Sequence, residues 1–341
     1  MRINKGTCLI LFAMIISVNS YAQDEIDQIL EAGTDDASKY VESYIEPFFK
    51  GFGFGMTNGW YNTAKPHKLL GFDLTITGNV AFVPDKDLVF TFRNSDYNTI
   101  RLDNGSTSTE LPTIFGTETI TLLEILDENG NPIPPSGVSI EALDGLDLKD
   151  EIGTNAVPVP MAQLGIGIPK GTDLKLRYTP SLDFDDVKVK LLGIGIMHDV
   201  KQWIPGIKLL PFDLSVLIAF TDLETSYDFT DSEFNTGSND QVGVFDVNAW
   251  TYQILASKKI AVLTIYGGLG YNAVKSDFRL NGTFDIGGRK TLTDPLNLNF
   301  KSSGVRATAG FRVKLAIVTL HADYTLQEYK TLTVGFGFNV R

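Results

Sequence analysis

T-L-T-V-G-F-G-F-N-V-R, residues 331–341, alternates between two kinds of side chain. Successive side chains of an extended strand point to opposite faces. One face then carries Leu332, Val334, Phe336, Phe338 and Val340, and the other carries Thr331, Thr333, Gly335, Gly337, Asn339 and Arg341. At about 3.3 Å per residue and a tilt of about 40°, such a strand covers roughly 27 Å, close to the hydrophobic height of a bilayer. Because the pattern recurs along the chain, it predicts an all-β fold, a transmembrane antiparallel β-barrel.

The N-terminus has the composition of an export signal. Arg2 and Lys5 precede an apolar run over residues 8–18, and Ser20-Tyr21-Ala22 supplies small residues at a cleavage site. We therefore predict a signal peptide over residues 1–22, cleaved before Gln23, and a location in the outer membrane of a Gram-negative cell. The only cysteine, Cys8, lies in that segment. Its removal leaves a chain without disulfides or thiol chemistry.

Composition narrows the class of protein further. The formal net charge is −12 over 341 residues, and such acidity argues against nucleic acid as a partner. After residue 22 no apolar run approaches the length of about 18 residues that a transmembrane helix needs. About 320 mature residues are enough for two soluble domains or for one barrel of roughly 10 to 14 strands with loops.

An acidic amphipathic segment precedes the first strand. Between Asp24 and Phe49, apolar residues recur mostly at steps of three and four, which predicts a helix that Gly33 divides in two. We assign residues 23–48 to this segment. It is interpreted either as a lid at the periplasmic mouth of the barrel or as a plug that lies in the lumen.

About twelve alternating segments follow and predict a barrel over residues 49–341. They lie at 51–56, 70–77, 88–92, 164–168, 174–178, 187–198, 212–220, 242–256, 260–274, 305–313, 318–324 and 331–341. A change of phase near Gly193 predicts a β-bulge.

Loop lengths give the predicted topology. Bacterial barrels have an even number of strands, both ends in the periplasm, short periplasmic turns and long extracellular loops. This rule places turns at 257–259 and 314–315 in the periplasm, and the polar stretches 94–156, 225–241 and 275–301 outside. Within the insertion 94–156, residues 119–140 read as a small hairpin. If they span the membrane instead, the barrel has fourteen strands.

Four stretches carry a family resemblance. They are S-Y-A-Q-D at the cleavage site, E-P-F-F-K-G-F-G-F-G-M at the end of the helix, M-A-Q-L-G-I-G-I-P-K-G-T-D-L-K-L-R-Y in a strand pair, and the final G-F-G-F-N-V-R. By these, the chain resembles the uncharacterised outer-membrane β-barrel proteins of Bacteroidetes-type bacteria over essentially its whole mature length. In plan it is distantly similar to the long-chain fatty-acid outer-membrane transporters, which place an N-terminal luminal segment before a medium barrel. Their N-terminal Asn-Pro-Ala signature is absent here.

Candidate catalytic and metal-binding residues are few. The three histidines, His67, His198 and His321, do not form a metal-binding cluster in the sequence. Thr319, His321 and Asp323 share one strand face, and we interpret them as a polar luminal ladder rather than as part of a catalytic site.

Residues 127–131 place oxygen ligands at alternate positions, as calcium loops do. However, Pro132 stands where such a loop needs glycine, and an Asn-Gly turn explains the stretch better. The sequence therefore predicts no enzyme, no cofactor and no metal site.

A set of basic residues carries the functional prediction. If the apolar side chains face lipid, the lumen-facing candidates are Lys175, Arg177, Lys188, Lys190, Arg306, Arg312 and Lys314, together with His321 and Asp323. A basic wall in a narrow lumen favours anions, because low-dielectric walls focus the potential. The alternative is that these charges pair with Asp73, Asp213 and Asp323, or with the acidic N-terminal segment, and only fill the lumen.

Two classes of function follow from the sequence. The first is a channel or transporter for a small hydrophobic or anionic solute or lipid, gated or plugged by the N-terminal segment. The second is a non-transporting surface protein that displays its extracellular loops for binding or adhesion. In both, the partners are outer-membrane lipid and the barrel-insertion machinery. A secreted soluble β-sandwich is a third interpretation, against which the continuous apolar face argues.

Overall fold

Ten strands of the described chain close into one antiparallel barrel. The computed structural model describes residues 29–30, 33–127, 129–132, 138–184, 187–229, 240–286 and 290–340. The predicted signal peptide over residues 1–22 and its cleavage site lie outside these residues. In chain order the elements are α1 (Thr34–Met56), β1 (Phe72–Phe82), β2 (Val89–Arg93), β3 (Ile100–Leu102), β4 (Ser108–Pro112), β5 (Leu122–Ile125), β6 (Val138–Glu141), α2 (Leu148–Ile152), β7 (Ala156–Ile168), β8 (Thr172–Phe184), β9 (Val187–Asp199), β10 (Asp213–Asp228), β11 (Val242–Ile260), β12 (Leu263–Asn281), β13 (Thr283–Ile286), β14 (Lys290–Thr293), β15 (Leu296–Leu315), β16 (Val318–Leu326) and β17 (Thr331–Val340).

The barrel order is β1-β17-β16-β15-β12-β11-β10-β9-β8-β7, and β7 pairs with β1 to close it. The connection from β1 to β7, residues 83–155, lies at one end, called the insertion end. The opposite end, called the turn end, carries the short connections 169–171, 261–262 and 316–317. Both β1 and the chain's last strand meet the turn end, where Phe72 pairs with Val340.

Alternation sets the two faces of the wall, as predicted from the last strand. Phe336 is 42% exposed on the outer face, whereas its neighbours in β17 on the inner face, including Thr333, are buried. The same alternation holds in β1, where Leu74 and Ile76 face outward and Thr75 and Thr77 face inward. The outer face is therefore apolar over its middle, as a lipid-facing wall requires.

The strand count differs from the predicted twelve because two alternating segments lie elsewhere. Residues 51–56 are the last turns of α1, and residues 88–92 contribute β2 to a two-stranded sheet with β4. The fourteen-strand alternative is also wrong. Within residues 119–140, the described strands β5 and β6 lie outside the wall, where β5 pairs with β3 and β6 in a small sheet.

The predicted hairpin within the insertion is confirmed by the pairing of β5 with β6. At its turn, the Asp127 carboxylate accepts hydrogen bonds from the backbone N–H groups of Asn129 (2.9 Å) and Asn131 (2.8 Å). The hydrogen bonds from Asn131 lower the pKa of Asp127 more than any other contact does. Gly130 adopts φ 77°, which an Asn-Gly turn needs.

Turn positions and one bulge also need correction. The predicted turns at 257–259 and 314–315 lie instead at 261–262 and 316–317, since β11 and β15 continue further than the alternation suggested. The stretches 225–241 and 275–301 are partly strand, because β10, β11, β12 and β15 extend toward the insertion end. The pairing of β9 with β10 is regular through Gly193, and the one irregularity recorded in the described barrel lies in β8, between Thr179 and Leu182.

α1 begins beneath the insertion and ends inside the barrel, at Met56 rather than at residue 48. Near its start, the Asp36 carboxylate accepts hydrogen bonds from the N–H groups of Asn98 (2.7 Å) and Thr99 (2.6 Å) in the insertion. Residues 57–71 then continue to the turn end, where the Leu70 N–H donates to the Gly167 carbonyl at 2.9 Å. Residues 34–71, called the interior segment, thus run the length of the barrel. None of the helices in the described ranges has the length and apolarity to cross a membrane.

Candidate functional site

The interior of the barrel is the candidate site, and three glycines determine how α1 fits there. A Cβ on Gly51 or Gly55 would lie 2.7 Å or 2.5 Å from the side chains of Val157 and Val159 on β7. A Cβ on Gly53 would lie 2.5 Å from the Val274 side chain on β12. Residues i and i+4 share a helix face, and residue i+2 lies on nearly the opposite one. Glycine on both faces therefore lets the helix backbone contact two walls of a narrow barrel.

In the half of the interior nearer the insertion end, called the insertion half, the filling is apolar and aromatic. The Phe49 ring lies 4.5 Å from the Phe300 ring and 4.8 Å from the Phe245 ring, centroid to centroid. Phe48 and Phe52 pack beside them, and all of these except the half-buried Phe52 belong to one buried cluster that continues into the insertion. This half is a hydrophobic core between α1, the wall and the insertion.

Contacts between α1 and the insertion extend that core beyond the barrel at the insertion end. The Ile114 N–H donates to the Tyr44 carbonyl at 3.0 Å, and the Tyr44 hydroxyl donates to the Asp144 carbonyl at 2.6 Å. The Tyr40 ring meets the Phe90 ring edge-on at 5.5 Å. In the loop between β16 and β17, burial raises the pKa of Tyr329, whose hydroxyl donates to Asp87 at 2.7 Å. The insertion is therefore fixed to the interior segment rather than hinged above it.

The other half, called the turn half, is held by buried arginines at the C-terminus of α1. Arg177 on β8 donates from Nη1 to the Met56 carbonyl at 2.8 Å and from Nη2 to the Asn58 carbonyl at 2.5 Å. Arg306 on β15 donates to the Thr57 carbonyl at 2.9 Å and to Asn58 Oδ1 at 2.5 Å. The last carbonyls of a helix lack partners within it and carry its negative dipole end. Two guanidinium groups satisfy both needs.

Trp60 continues the same contact surface. The Arg177 guanidinium lies 3.7 Å from the centre of the Trp60 ring, a cation–π distance. The ring covers Gly193 and Gly195 on β9, where a Cβ would approach it to 3.2 Å and 2.9 Å. A side chain at either glycine would displace the indole, so these residues form the seat of Trp60.

At the turn end, His67 connects the interior segment to two strands. Its N–H donates to Asp173 Oδ1 at 2.8 Å, and its Nδ1 lies 2.9 Å from Asp173 Oδ2. Its Nε2 lies 3.4 Å from Asp73 Oδ1 and also contacts the Asn339 amide. Lys175 Nζ is 3.9 Å from Asp173. The segment is thus fixed at its exit as well as in the middle of the barrel.

Two buried groups stand apart from this network. Within the described part of the chain Arg312 makes no hydrogen bond or ion pair, and both ring nitrogens of His321 lack partners. They are direct neighbours across β15 and β16. Asp323, next on that face of β16, accepts a hydrogen bond from the Tyr266 hydroxyl at 2.7 Å.

The structure places most of the lumen-facing candidates on the inner face. These are Lys175, Arg177, Arg306, Arg312, Lys314, His321 and Asp323. Lys188 and Lys190 instead lie on the outer face near the insertion end, where Lys190 forms an ion pair with Glu224 at 2.9 Å. The inner positions of β9 there are Val187, Val189 and Leu191, because the insertion half needs an apolar wall.

The predicted charge pairing is not the one found in the described residues. The basic residues bind backbone carbonyls and amides of the interior segment more than carboxylates. Asp36 binds the insertion, and Asp213 approaches Ser257 at 3.5 Å. Asp24, Glu25, Asp27 and Glu31 lie outside the described residues. Within the described ranges, no three histidine, cysteine, aspartate or glutamate side chains are grouped to hold a metal ion.

Sequence reasoning missed Asn58 and Trp60, which follow directly after α1. Asn58 joins both arginines, since its carbonyl accepts from Arg177 and its side-chain oxygen from Arg306. The stretch T-N-G-W at 57–60, a turn sequence with an aromatic residue between two apolar segments, was the available signal.

A polar groove of about 510 Å³ lies on the outer face near the insertion end. Its charges are largely paired within it, Lys190 with Glu224 and Arg279 with Asp246. The groove lies next to the aromatic residues Phe220 and Trp250, whose rings are 4.7 Å apart on the same face. It marks the level at which the outer wall changes from apolar to charged.

A family model described as "Family of unknown function (DUF6588)" matches residues 1–340, and the chain belongs to that family. No curated protein matches the sequence. The family match does not bear on the narrower resemblance to Bacteroidetes-type proteins, which stays a prediction.

Solved structures similar to this chain include three bacterial β-barrels. The translocator domain of the autotransporter NalP from Neisseria meningitidis has 11% identity and a TM-score of 0.30, covering 81% of this chain and 90% of that one. Ail, the attachment invasion locus protein of Yersinia pestis, has 10% identity and a TM-score of 0.25, covering 80% and 99%. A Pseudomonas aeruginosa FadL homologue has 10% identity and a TM-score of 0.23, covering 79% and 90%. TM-scores of this size are too low for any of their activities to be transferred to this chain.

Proposed function

We propose that this member of the DUF6588 family is an outer-membrane β-barrel that is closed by its own interior segment and displays its insertion at the cell surface for binding. The apolar outer wall supports the membrane location. Phe336, Ile196 and Leu269 are exposed on the outer faces of their strands, where the strands of a soluble barrel carry polar side chains. The turn end faces the periplasm and the insertion end faces outward.

The observation that carries this proposal is the filled interior. α1 contacts strands β1, β7, β11, β12 and β15, and residues 57–71 occupy the turn half down to His67. A solute would have to displace a hydrophobic core at one end and buried hydrogen bonds at the other. Such a barrel is a rigid support rather than an open pore.

The insertion supplies the surface for binding. It contains two small sheets that rest on α1, and apolar side chains remain on its outside. Ile120 is 95% exposed, and Leu122 and Val89 are each about two fifths exposed. A partner that covered these side chains would remove their apolar surface from water.

A second candidate function is gated transport of an anionic or small hydrophobic solute. It is favoured by the turn half, where the segment is held by hydrogen bonds and where Arg312 has no partner among the described side chains. A buried guanidinium without a counter-ion attracts anions. In this alternative a partner withdraws the interior segment and exposes a basic lumen.

Conductance in planar bilayers separates the two functions. For the surface-binding protein we expect no stable conductance steps from the folded full-length chain, and no anion-selective pore after deletion of residues 24–48. Stable anion-selective steps after that deletion would favour the gated transporter. Steps from the full-length chain would contradict a closed barrel altogether.

Epitope tags test location and orientation. A tag at Gly105, an insertion glycine with open space around it, should be detected on intact cells. A matched tag at Gly206, equally open but at the turn end, should be detected only after permeabilisation. The protein should fractionate with outer membranes and resist carbonate extraction. Recovery in the soluble periplasm would overturn the proposal.

A further inference from the structure

One connection at the turn end is unlike the others. Residues 200–212, called the foot segment, join β9 to β10 and read V-K-Q-W-I-P-G-I-K-L-L-P-F. The neighbouring connections at 169–171, 261–262 and 316–317 are much shorter. In the foot segment Trp203 is 63% exposed and Leu209 is 91% exposed, and Ile204 and Leu210 are also exposed.

This exposure is not that of a loose loop, because the foot segment is held by its own polar groups. Lys201 Nζ donates to the Phe212 carbonyl at 2.7 Å and also to the Leu210 carbonyl. Gln202 donates to the carbonyls of Lys170 (2.7 Å) and Asp199 (2.8 Å). Two short 3-10 turns, Lys201–Trp203 and Ile207–Leu209, shape the rest. The polar side chains of Lys201 and Gln202 therefore donate to carbonyls within the protein, and the apolar side chains of the foot segment are left exposed.

Trp203 joins the foot segment to the outer wall of the barrel. Its indole N–H donates to His198 Nε2 at 2.8 Å, and the two rings are stacked. An indole nitrogen can only donate, so His198 accepts at Nε2 and carries its proton on Nδ1, which lies 2.8 Å from Thr172 Oγ1. His198 follows Ile194 and Ile196 along the outer face of β9. The apolar surface of the foot segment is therefore continuous with the apolar outer wall.

We infer that the foot segment is a lipid-binding surface that lies in the phospholipid interface beside the turn end of the barrel. The inference rests on the proposed membrane location of the wall. Three features select lipid as the occupant. The surface continues the lipid-facing wall, and tryptophan prefers the membrane interface. Residues 200–212 contain two lysines and no acid, and the net positive charge of the segment favours anionic head groups.

The three tryptophans of the chain provide the test. Trp60 is buried in the interior, Trp250 lies on the outer wall about midway along β11, and Trp203 lies in the foot segment. Proteoliposomes of phosphatidylcholine and phosphatidylglycerol would contain lipids brominated either near the head group or near the terminal methyl. The variants Trp203→Phe and Trp250→Phe each remove one emitter, so the difference from the full chain reports that residue.

We expect Trp203 emission to be quenched at least twofold more by bromine near the head group than by bromine at the terminal methyl. Trp250 should also be quenched, and Trp60 should not. If Trp250 is quenched and Trp203 is not, the foot segment faces water or a protein and the inference is wrong, while the membrane location stands. If neither is quenched, the membrane location itself fails.

A second measurement guards against a variant that does not fold. A polarity-sensitive fluorophore on Leu209→Cys should emit at shorter wavelength when lipid is present, whereas the same label on Lys170→Cys, in a short turn at the same end, should not. The predicted mature chain offers no competing thiol, since Cys8 is the only cysteine. Equal emission at both positions would overturn the inference, as would a Leu209 label that responds only to added protein.

Discussion

The two halves of the barrel interior are filled by different chemistry. In the insertion half Phe49 packs among Phe245 and Phe300, and the wall beside it is apolar. In the turn half the chain is held by directional hydrogen bonds from Arg177 and Arg306 to backbone carbonyls. Apolar packing supplies most of the free energy of folding, and directional bonds determine position. The insertion half therefore anchors α1, and the turn half fixes where α1 ends.

The largest effect is expected from the aromatic core. Phe49→Ala removes a ring that touches three strands, and it should lower the free energy of unfolding by about 3–5 kcal/mol. Denaturant unfolding in lipid vesicles would measure this. Phe311→Ala is the matched control, because Phe311 is half exposed on the outer wall and its loss leaves no internal cavity. Similar losses for both would show that the insertion half is not a true core.

A second pair of variants asks whether the interior is full. Phe336→Arg places a charge on the lipid face and should cost about 2–4 kcal/mol. In an empty lumen Thr333→Arg would cost much less, as the sequence alone suggests. In the structure the Thr333 hydroxyl donates to Asn79 at 2.9 Å, with no exposed surface. We therefore expect Thr333→Arg to destabilise the barrel about as much, and a tolerated Thr333→Arg would indicate open space inside.

Removal of one arginine tests the turn half. Arg306→Met leaves the buried Thr57 carbonyl without this donor, which should cost about 1–3 kcal/mol. The Asn58 side-chain oxygen loses one of two donors and keeps the Thr325 hydroxyl at 2.9 Å. Trp60 fluorescence distinguishes a change of position from a loss of stability. Trp60 lies two residues after Asn58, so a shift of this stretch would change the contact between its ring and the Arg177 guanidinium. An unchanged spectrum together with unchanged stability would mean that the helix end is held by the core alone.

The smallest effect is expected at Arg312. Arg312→Met removes a buried charge that has no partner in the described chain, so stability should stay within about 0.5 kcal/mol or rise. Among the carboxylates, Asp73 acts on the Arg312 charge electrostatically without forming an ion pair with it. A loss as large as that for Arg306→Met would reveal a contact with a ligand or with water, and would favour the transport alternative.

Local alternation predicted the ten barrel strands. An alternation of apolar and polar or small side chains is visible within a few residues, and it arises because the wall has one apolar face. It failed at 51–56, where G-F-G-F-G-M has the same period in a helix whose glycines meet two walls. It also failed for Lys188 and Lys190, which are polar on an outer face beyond the apolar region. In both cases the structure depends on the surface that these residues face, and that surface is formed by residues far away in the sequence.

The candidate site was predictable only in part for the same reason. The two-residue alternation of side chains along β8 and β15 predicts that Arg177 and Arg306 point inward. Their binding to the end of α1 depends on how far the interior segment extends into the barrel. That depth is determined by the contacts of the α1 glycines with valines on β7 and β12, which are far away in the sequence.

The path of the interior segment has a consequence for assembly. Residues 34–71 run from the insertion end to the turn end before β1 begins, and β1 pairs with both β7 and β17. The barrel wall therefore surrounds a segment that precedes all of its strands in the sequence. The pairing of β1 with β17 is the seam at which the first and last strands close the barrel. At Asn58 the segment is bound by β8 and β15, and at His67 by β8 and β1. We therefore expect β1 and β17 to pair last, after the segment is in place. The expected order of assembly is therefore the core first and its enclosure second.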